Sequence, residues 1–520
     1  MRLSIFSFLV FLSTAVFAQK KPAPNWQTLD PKSDKIYGAA TEKALQALKN
    51  RTPKEVVVGV IDSGVEIDHE DLKDVIWVNK GEIPNNGIDD DKNGYVDDVN
   101  GWSFLGGKTD DINYEALEVA RLYQKHRKYF STRDTLNLSE NDKTRFEEFK
   151  KIRNDFFNEQ RKLEQQVQSI ELLSNFITNV KLQSNGEFSK SAVKSYQPKD
   201  KKDSTLKKQM KFVLNFVSPK ELDQQITNAS NTLVMTAKYN RMNVDSIRAK
   251  VVGDNPGDAT ERYYGCNRVE GPDALHGTHV AGIIAANRTN NIGIIGEAPN
   301  VKIMAVRAVP NGDERDKDVA NAIRYAVDNG AKVINMSFGK YYYSDKAVVD
   351  QAIKYAMEKD VLLVHAAGND AKNKDIEDSY PTRKLSDGTI ATNWIEVGAS
   401  AHKKGKKIIG NFSNYGKTTV DLFAPGVDIY STMQDNKYIY ESGTSMAAPS
   451  VSGVAAIIRG YFPELTAAQV REILMKTVVP YKKNVYIPGT KQKTKVSELC
   501  ISGGFVNAYN AVNYLLQQGK

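Results

Sequence analysis

Val301-Lys302-Ile303-Met304-Ala305-Val306 reads as a strand, residues 319–329 as a helix stopped by Gly330, and Lys332-Val333-Ile334-Asn335-Met336-Ser337 as the next strand. A helical pattern over 346–359 and a strand at Val361-Leu362-Leu363-Val364 continue the alternation. Such alternation predicts βαβ units, and so an α/β fold with a parallel sheet between helices. Far upstream, Val56-Val57-Val58-Gly59-Val60-Ile61 is a continuous apolar, β-branched run, as expected of a strand buried on both faces. In such sheets the chemistry sits beyond the carboxyl ends of the strands, so polar residues there are the candidates for function.

Between these two parts lies a stretch of different texture. Residues 111–264 are charged, almost free of glycine and helical in pattern. Phe146, Phe149, Ile152, Phe156, Leu163, Val167, Ile170, Leu173, Ile177 and Val180 recur at steps of three, four or seven. They form one stripe along a long helix or a short coiled coil. Within this stretch, residues 194–211 are rich in lysine and poor in apolar residues, which predicts a solvated loop.

The whole chain has 520 residues, 41% hydrophobic and 26% charged, ordinary globular usage that excludes wholesale disorder. Its 35 glycines and 17 prolines exclude collagen-like repeats, and two cysteines exclude a disulfide-dense scaffold. The formal charge of +8 is mild for this length and compels neither nucleic acid nor membrane binding. At the start, Arg2 precedes an apolar run over 3–17, and Val16-Phe17-Ala18 places small residues before a cut after Ala18. That is the pattern of a secretory signal peptide, residues 1–18. The run falls short of the ~20 apolar residues a spanning helix needs. The mature protein is therefore expected to be exported, to a periplasm or the medium, with no membrane span after signal removal.

Four strand ends or helix starts carry chemistry. Asp62, in Ile61-Asp62-Ser63-Gly64, closes an apolar strand, where a carboxylate is costly unless paired. His276 stands at the start of the buried helix pattern in Leu275-His276-Gly277-Thr278-His279-Val280. His276 and His279 lack the intervening glutamate of an HExxH zinc motif. Asn369, in Ala366-Ala367-Gly368-Asn369, follows a strand and can aim its amide at a developing oxyanion. Ser445, in Ser442-Gly443-Thr444-Ser445-Met446-Ala447-Ala448-Pro449, opens an apolar helix, either as a cap or as a nucleophile. Pro449 is expected in the first turn, where no helical bond is lost. Each has a plain structural reading alone. Together they supply an alcohol, an imidazole to act as its base, and a carboxylate to orient the imidazole.

Asp62-Ser63-Gly64, His276-Gly277-Thr278-His279 and Gly443-Thr444-Ser445-Met446-Ala447-Ala448-Pro449 resemble the three signatures of the subtilisin-like serine proteases, in that family's order. Asn335-Met336-Ser337-Phe338-Gly339, Asn411-Phe412-Ser413-Asn414-Tyr415-Gly416, Ala424-Pro425-Gly426 and Gly504-Phe505-Val506-Asn507-Ala508 resemble it too. The resemblance implies a three-layer α/β fold with a mostly parallel central sheet, formed by 19–110 and 265–520, interrupted by the helical insertion 111–264. It implies a serine endopeptidase acting on polypeptide substrates through an acyl-enzyme. In that reading Ser445 attacks the scissile carbonyl, His276 shuttles the proton, Asp62 holds His276, and Asn369 with the Ser445 N–H stabilises the oxyanion. Ser337, Phe338 and Gly339 add the substrate as a strand, and with Ala366, Ala367 and Gly368 they wall the pocket for the residue before the scissile bond.

The sequence departs from the family in places. Ser450 replaces a histidine common there, Lys340 stands where a second glycine is frequent, and Asp313, Glu314 and Asp370 add charge near the substrate loops. Between Asp62 and His276 lie 213 residues, far more than compact relatives use, against an ordinary 168 between His276 and Ser445. The insertion is thus expected near the active-site rim, to gate the site or dock a partner. The span between Ala18 and Val56 leaves no room for a compact inhibitory pro-domain.

Gly87-Ile88-Asp89-Asp90-Asp91-Lys92-Asn93-Gly94-Tyr95-Val96-Asp97-Asp98-Val99-Asn100 fits the D-x-D-x-N-G pattern of a calcium loop. Asp89, Asp91, Asn93, Tyr95, Asp97 and Asn100 are the expected ligands of a structural Ca2+, with Asn100 in place of the usual glutamate. No organic cofactor is expected. Cys266 and Cys500 can pair in an oxidising compartment. Two rival readings exist. A non-catalytic binding protein on a protease fold, acting through the insertion, has no need of an intact Asp62, His276, Ser445 and Asn369 set. A nucleic-acid binder using 194–211 lacks interleaved aromatics beyond Tyr196 and any recognition motif, so no nucleic acid partner is expected.

Overall fold

The computed structural model describes residues 21–520 with the exception of Phe216, so the signal peptide lies outside the described residues. The chain forms two compact units. One holds Pro22–Asn113 and Asp245–Lys520, the other Tyr114–Val244. Among the described residues no helix is long and apolar enough to cross a membrane.

The strands, in chain order, are β1 (Val56–Asp62), β2 (Gly101–Ser103), β3 (Val301–Arg307), β4 (Val333–Met336), β5 (Leu362–Ala366), β6 (Trp394–Ser400) and β7 (Leu422–Pro425). They continue with β8 (Ile429–Met433), β9 (Lys437–Glu441), β10 (Val479–Pro480), β11 (Val485–Tyr486), β12 (Lys493–Thr494) and β13 (Gly504–Phe505). Nine of them make one sheet in the order β10-β13-β7-β6-β5-β4-β1-β3-β2. Every pairing is parallel except that of β10 with β13. This is the expected α/β architecture, and the alternation of apolar side chains explains its three layers. Val56, Val58 and Val60 of β1 enter one core with the helices Leu275–Ala285 and Thr444–Tyr461. Ile61 of β1 enters the other with Asp316–Asp328 and Lys346–Glu358. A strand buried on both faces needs apolar residues at every position, and β1 provides them up to Asp62. Residues just after the expected signal cut are also built in. Trp26 is fully buried and its Nε1 donates to the Asp428 carbonyl at 2.9 Å.

The second unit is helical. The apolar stripe lies on one helix, Glu140–Leu182, capped by Ser139. Tyr123 stacks on its Phe156 with ring centroids 4.4 Å apart. Further along, Ile170, Leu173, Phe176, Ile177 and Val180 form a core with Tyr196, Leu206, Met210, Val213, Leu222 and Ile226. The expectation of a solvated loop at 194–211 is corrected here. Most of that stretch is helix, in Lys190–Ser195 and Lys201–Val213. Leu206, Met210 and Val213 recur at helical spacing and are buried, while Asp200 caps the start and the lysines cover the outer face.

The last part of the predicted insertion packs with the sheet unit, and a buried ion cluster shows why. Arg248 is fully buried, with Nε 2.9 Å from Asp254 and Nη1 and Nη2 each 2.7 Å from Asp318. Tyr264 donates to the same Asp318 at 2.6 Å, and Lys317 pairs with Asp254 at 2.5 Å. Burial alone would raise the Asp254 pKa, but the Arg248 and Lys317 charges hold it below the ordinary value. Arg248→Ala would leave buried Asp318 with no cationic partner and Asp254 with Lys317 alone, so it is expected to destabilise the protein by about 3–5 kcal/mol, read as a lower urea midpoint. An unchanged midpoint would show that the cluster carries no net stability.

The two cysteines are both free. Cys500 is buried, near the Val496 carbonyl and Ser502, and Cys266 lies beside Ser103. The pairing that an oxidising compartment permits is not formed.

Candidate active site

Asp62 is the last residue of β1 and is buried. Its Oδ1 accepts from the Ser63 N–H at 2.7 Å and lies 2.7 Å from His276 Nδ1. A carboxylate only accepts, so Nδ1 carries the hydrogen and Nε2 is left as the basic nitrogen. The close approach of helix to strand end depends on two glycines. A Cβ on Gly277 would lie 2.0 Å from the Gly64 carbonyl oxygen, and Gly64 itself holds a φ of 133° that side-chain-bearing residues avoid. Burial works against a charged imidazole at His276. The charge and hydrogen bond of Asp62, with Glu441 and Asp273 adding, outweigh it and raise the pKa above the ordinary 6.5. His279 serves differently. It is fully buried, its Nε2 bonds the Ile439 carbonyl in β9, and burial pushes its pKa down to about 3, so it is a neutral structural residue.

Ser445 is the second residue of the helix Thr444–Tyr461. Its Oγ donates to the Ser337 carbonyl at 3.1 Å, and the Ser337 hydroxyl donates back to the Ser445 carbonyl at 3.0 Å. The latter bond explains Pro449. The helix begins at Thr444, so Pro449 lies inside it and not in the first turn, as expected from the sequence. Its missing N–H would have bonded the Ser445 carbonyl four residues back. The Ser337 hydroxyl takes that place. Asn335 bonds the same hydroxyl and accepts from Ser452, both at 2.9 Å, tying the end of β4 to the serine helix.

Asn369 Oδ1 accepts from the Thr444 N–H at 2.9 Å and from its hydroxyl at 3.0 Å. The amide is therefore oriented, with Nδ2 turned away as a donor. A Cβ on Gly443 would lie 3.5 Å from Asn369 Nδ2 and 3.6 Å from the Ser445 N. Two donors thus flank one position beside the serine, where an oxygen gaining negative charge can be met. Thr444 and Asn414 were not singled out from the sequence as functional residues. Asn414 holds the 366–368 segment, donating to the Ala367 carbonyl at 2.9 Å and, from its backbone, to Gly368 at 2.8 Å. Its place in the quoted Asn411-Phe412-Ser413-Asn414 motif was the available signal; Thr444 had only its position beside Ser445.

The two predicted substrate segments differ in character. Ala367 and Gly368 are tied back to Val397, Thr444 and Asn414. The backbone of Phe338 and Gly339 makes no hydrogen bond to the described residues, leaving an open edge able to take an added strand. Lys340 does not charge this edge. It is buried, with Nζ 2.8 Å from Asp316 Oδ1 and 2.7 Å from the Glu314 carbonyl. Glu314 is buried too, and burial, eased by Lys340 but aggravated by Asp313 and Asp316, pushes its pKa up to about 8. Asp370 accepts from the Tyr341 hydroxyl. Ser450, in the position of the family histidine, donates to the buried Glu297 at 2.6 Å.

In the acidic loop the predicted ligands do not all converge. Asp91 lies with Glu82 and Asp98 in a group whose carboxylate oxygens are all within 4.8 Å of one another. Asp89 accepts from the Asn93 and Gly94 N–H groups, and Asp97 from those of Asn86 and Gly87. Asn93 does reach this group, its Nδ2 donating to Asp91 at 3.2 Å and to Asp98 at 3.0 Å, while Asn100 donates to the Trp77 carbonyl. Burial, relieved partly by Tyr325, Asn79 and Asn93 and worsened by Asp91, pushes the Asp98 pKa up to about 6. Glu82 and Asp98 were missed because they fall outside the D-x-D-x-N-G positions.

If His276 is the base, activity requires its neutral form. The rate is expected to fall as pH drops through its raised pKa, so the acid limb of kcat/KM should have a midpoint above 6.5. A limb centred near 4 would point to a carboxylate instead.

The sequence profile of the subtilase family matches residues 53–503. A thermophilic serine proteinase of Bacillus sp. (strain AK1) is 41% identical over 241 residues, 46% of this chain and 52% of that protein. Subtilisin DY of Bacillus licheniformis is 37% identical over 213 residues, covering 41% of this chain and 73% of its own length. Thermitase of Thermoactinomyces vulgaris is 37% identical over 240 residues, 46% and 75%. The alignment to the first of these spans about half of its length.

Proposed function

The chain belongs to the subtilase family, and from that premise we propose that it is an exported serine endopeptidase that hydrolyses polypeptides through an acyl-enzyme. The observation that carries this reading is the Asp62–His276 bond of 2.7 Å, set beside a helix whose second residue is Ser445. Ser445 Oγ turns from the Ser337 carbonyl to His276 Nε2, attacks the scissile carbonyl and gives up its proton to the imidazole. The oxyanion of the tetrahedral intermediate takes hydrogen bonds from Asn369 Nδ2 and the Ser445 N–H. The C–N bond breaks as His276 protonates the leaving amine, leaving an ester on Ser445. Water then repeats the sequence, losing its proton to His276 and releasing the carboxylic acid product. The open edge at Phe338 and Gly339 holds the substrate backbone. Residues 1–18 direct export and are removed. The helical unit docks a partner or gates the site.

We also propose that Glu82, Asp91 and Asp98 hold a calcium ion that stabilises the 82–98 loop. The donor set fits: three carboxylates crowd together, two of them buried, and a hard cation relieves their mutual repulsion. The ion takes no part in bond making. Purified mature protein should cleave unfolded casein, and a chelator should lower its Tm and hasten its inactivation, with both restored by added calcium. Folded protein that leaves casein intact would favour the binding-protein reading. A Tm indifferent to chelator and calcium would remove the metal.

A further inference from the structure

His365 is a buried histidine that the proposed mechanism leaves unused. It sits in β5 directly before the Ala366-Ala367-Gly368 segment and has no exposed surface. Its Nδ1 lies 3.0 Å from Glu396 Oε2, which also accepts from Trp394 Nε1 at 2.8 Å. Lys374 Nζ lies 2.6 Å from the other Glu396 oxygen. The carboxylate accepts only, so the hydrogen of His365 is on Nδ1. With Nδ1 donating to Glu396, Nε2 of the uncharged tautomer presents a lone pair. That nitrogen is buried and has no hydrogen-bond partner among the described residues.

In front of it stands Gly339, on the open substrate edge. A Cβ there would lie 3.6 Å from His365 Nε2 and 3.3 Å from the Tyr380 carbonyl oxygen, with no heavy atom outside the local backbone any closer. The Tyr380 oxygen accepts one bond, from the Lys340 N–H at 3.0 Å, and keeps a second lone pair. Two acceptors therefore flank one position against the Gly339 backbone of the substrate edge. An apolar side chain arriving there would leave both unpaired. An ammonium would pair them but would bring an unbalanced charge into a neutral cluster. A carboxamide NH2 presents two hydrogens and no charge.

Resting on the protease reading above, we propose that His365 determines specificity for the residue before the scissile bond, and that it selects a carboxamide side chain, glutamine or asparagine. The test uses the mature protein and internally quenched peptides that differ only at that residue: Gln, Asn, Leu, Glu or Lys. The better of the two carboxamides is expected to exceed Leu, Glu and Lys in kcat/KM by about tenfold or more, the scale for a site that hydrogen-bonds its substrate. His365→Ala, checked for an assembled site by fluorophosphonate labelling, should bring the carboxamide-to-Leu ratio close to one. Gly339→Ala, whose methyl would occupy that position, should lower the same ratio. The wild-type profile needs no variant, so a misfolded His365→Ala does not rescue the idea. Cleavage after Leu as fast as after Gln and Asn, or a ratio unchanged in His365→Ala, would overturn the proposal while leaving the protease reading intact. Folded protein that cleaves none of the peptides and takes no fluorophosphonate would overturn that reading and this proposal with it.

Discussion

Ser445→Ala is expected to lower kcat for peptide hydrolysis by about 10^6-fold, the scale for removing the nucleophile from a serine–histidine–aspartate unit. The magnitude follows from the division of labour. His276 without a hydroxyl to deprotonate does nothing for the reaction, and Asp62 without an active His276 does nothing either. What remains is the pair of donors beside Gly443, which still favours an oxyanion formed by attacking water. The fold should not suffer. The variant loses the bond from Ser445 Oγ to the Ser337 carbonyl, but the bond from the Ser337 hydroxyl to the Ser445 carbonyl, which offsets Pro449, stays. Tm should therefore remain close to that of the parent and KM should change little. A Ser445→Ala, His276→Ala double variant should be no slower than the single one, because the residues act as a unit. A residual rate within a hundredfold of the parent would place the nucleophile elsewhere.

Asp62→Asn is expected to cost about 10^4-fold in kcat at neutral pH with little change in geometry. Asp62 Oδ1 receives both the Ser63 N–H and the His276 Nδ1–H, so one oxygen sets both the turn and the tautomer. Asparagine gives up the charge, and where its NH2 stands in the place of Oδ1 it turns a donor toward the ring and loses the Ser63 bond. The imidazole then carries its hydrogen on Nε2 and cannot take the serine proton. The same change removes the main charge that raises the His276 pKa. The acid limb of kcat/KM should therefore move to lower pH as the rate falls. A loss of less than tenfold, or an unshifted limb, would mean that Asp62 does not orient His276.

Four neighbouring strands of the sheet were legible because they are buried on both faces and so are written as nearly unbroken apolar runs. β1, β3, β4 and β5 lie where those runs predicted, and Asp62 and Asn369 were found simply as polar residues, the first closing β1 and the second just past β5. The long helix was equally plain, since Phe146 to Val180 repeat at one period over many turns. Residues 194–211 misled because lysine is both a good helix former and a solvated residue. Only Leu206, Met210 and Val213 betray the buried face, and three positions are few to set against so many charges. Pro449 misled because a proline's missing N–H is ordinarily harmless only in the first turn of a helix. The partner that lets a proline sit deeper, the Ser337 hydroxyl, lies 108 positions before Ser445 in the chain. The acidic loop shows the same limit. Its motif points to Asp91, but Glu82 and Asp98 join it through the fold, and spacing in sequence carries no sign of that. Arg248 likewise gives no warning from sequence that it is a buried ion pair rather than a surface charge on a helix.

Intact-protein mass spectrometry after fluorophosphonate treatment bears most directly on Ser445 as an activated nucleophile. The folded mature protein should gain a single phosphonyl adduct that maps to the peptide containing Ser445. The gain should be absent from Ser445→Ala and slowed strongly in His276→Ala. A folded parent that gains no adduct, or an adduct that persists in Ser445→Ala, would contradict it.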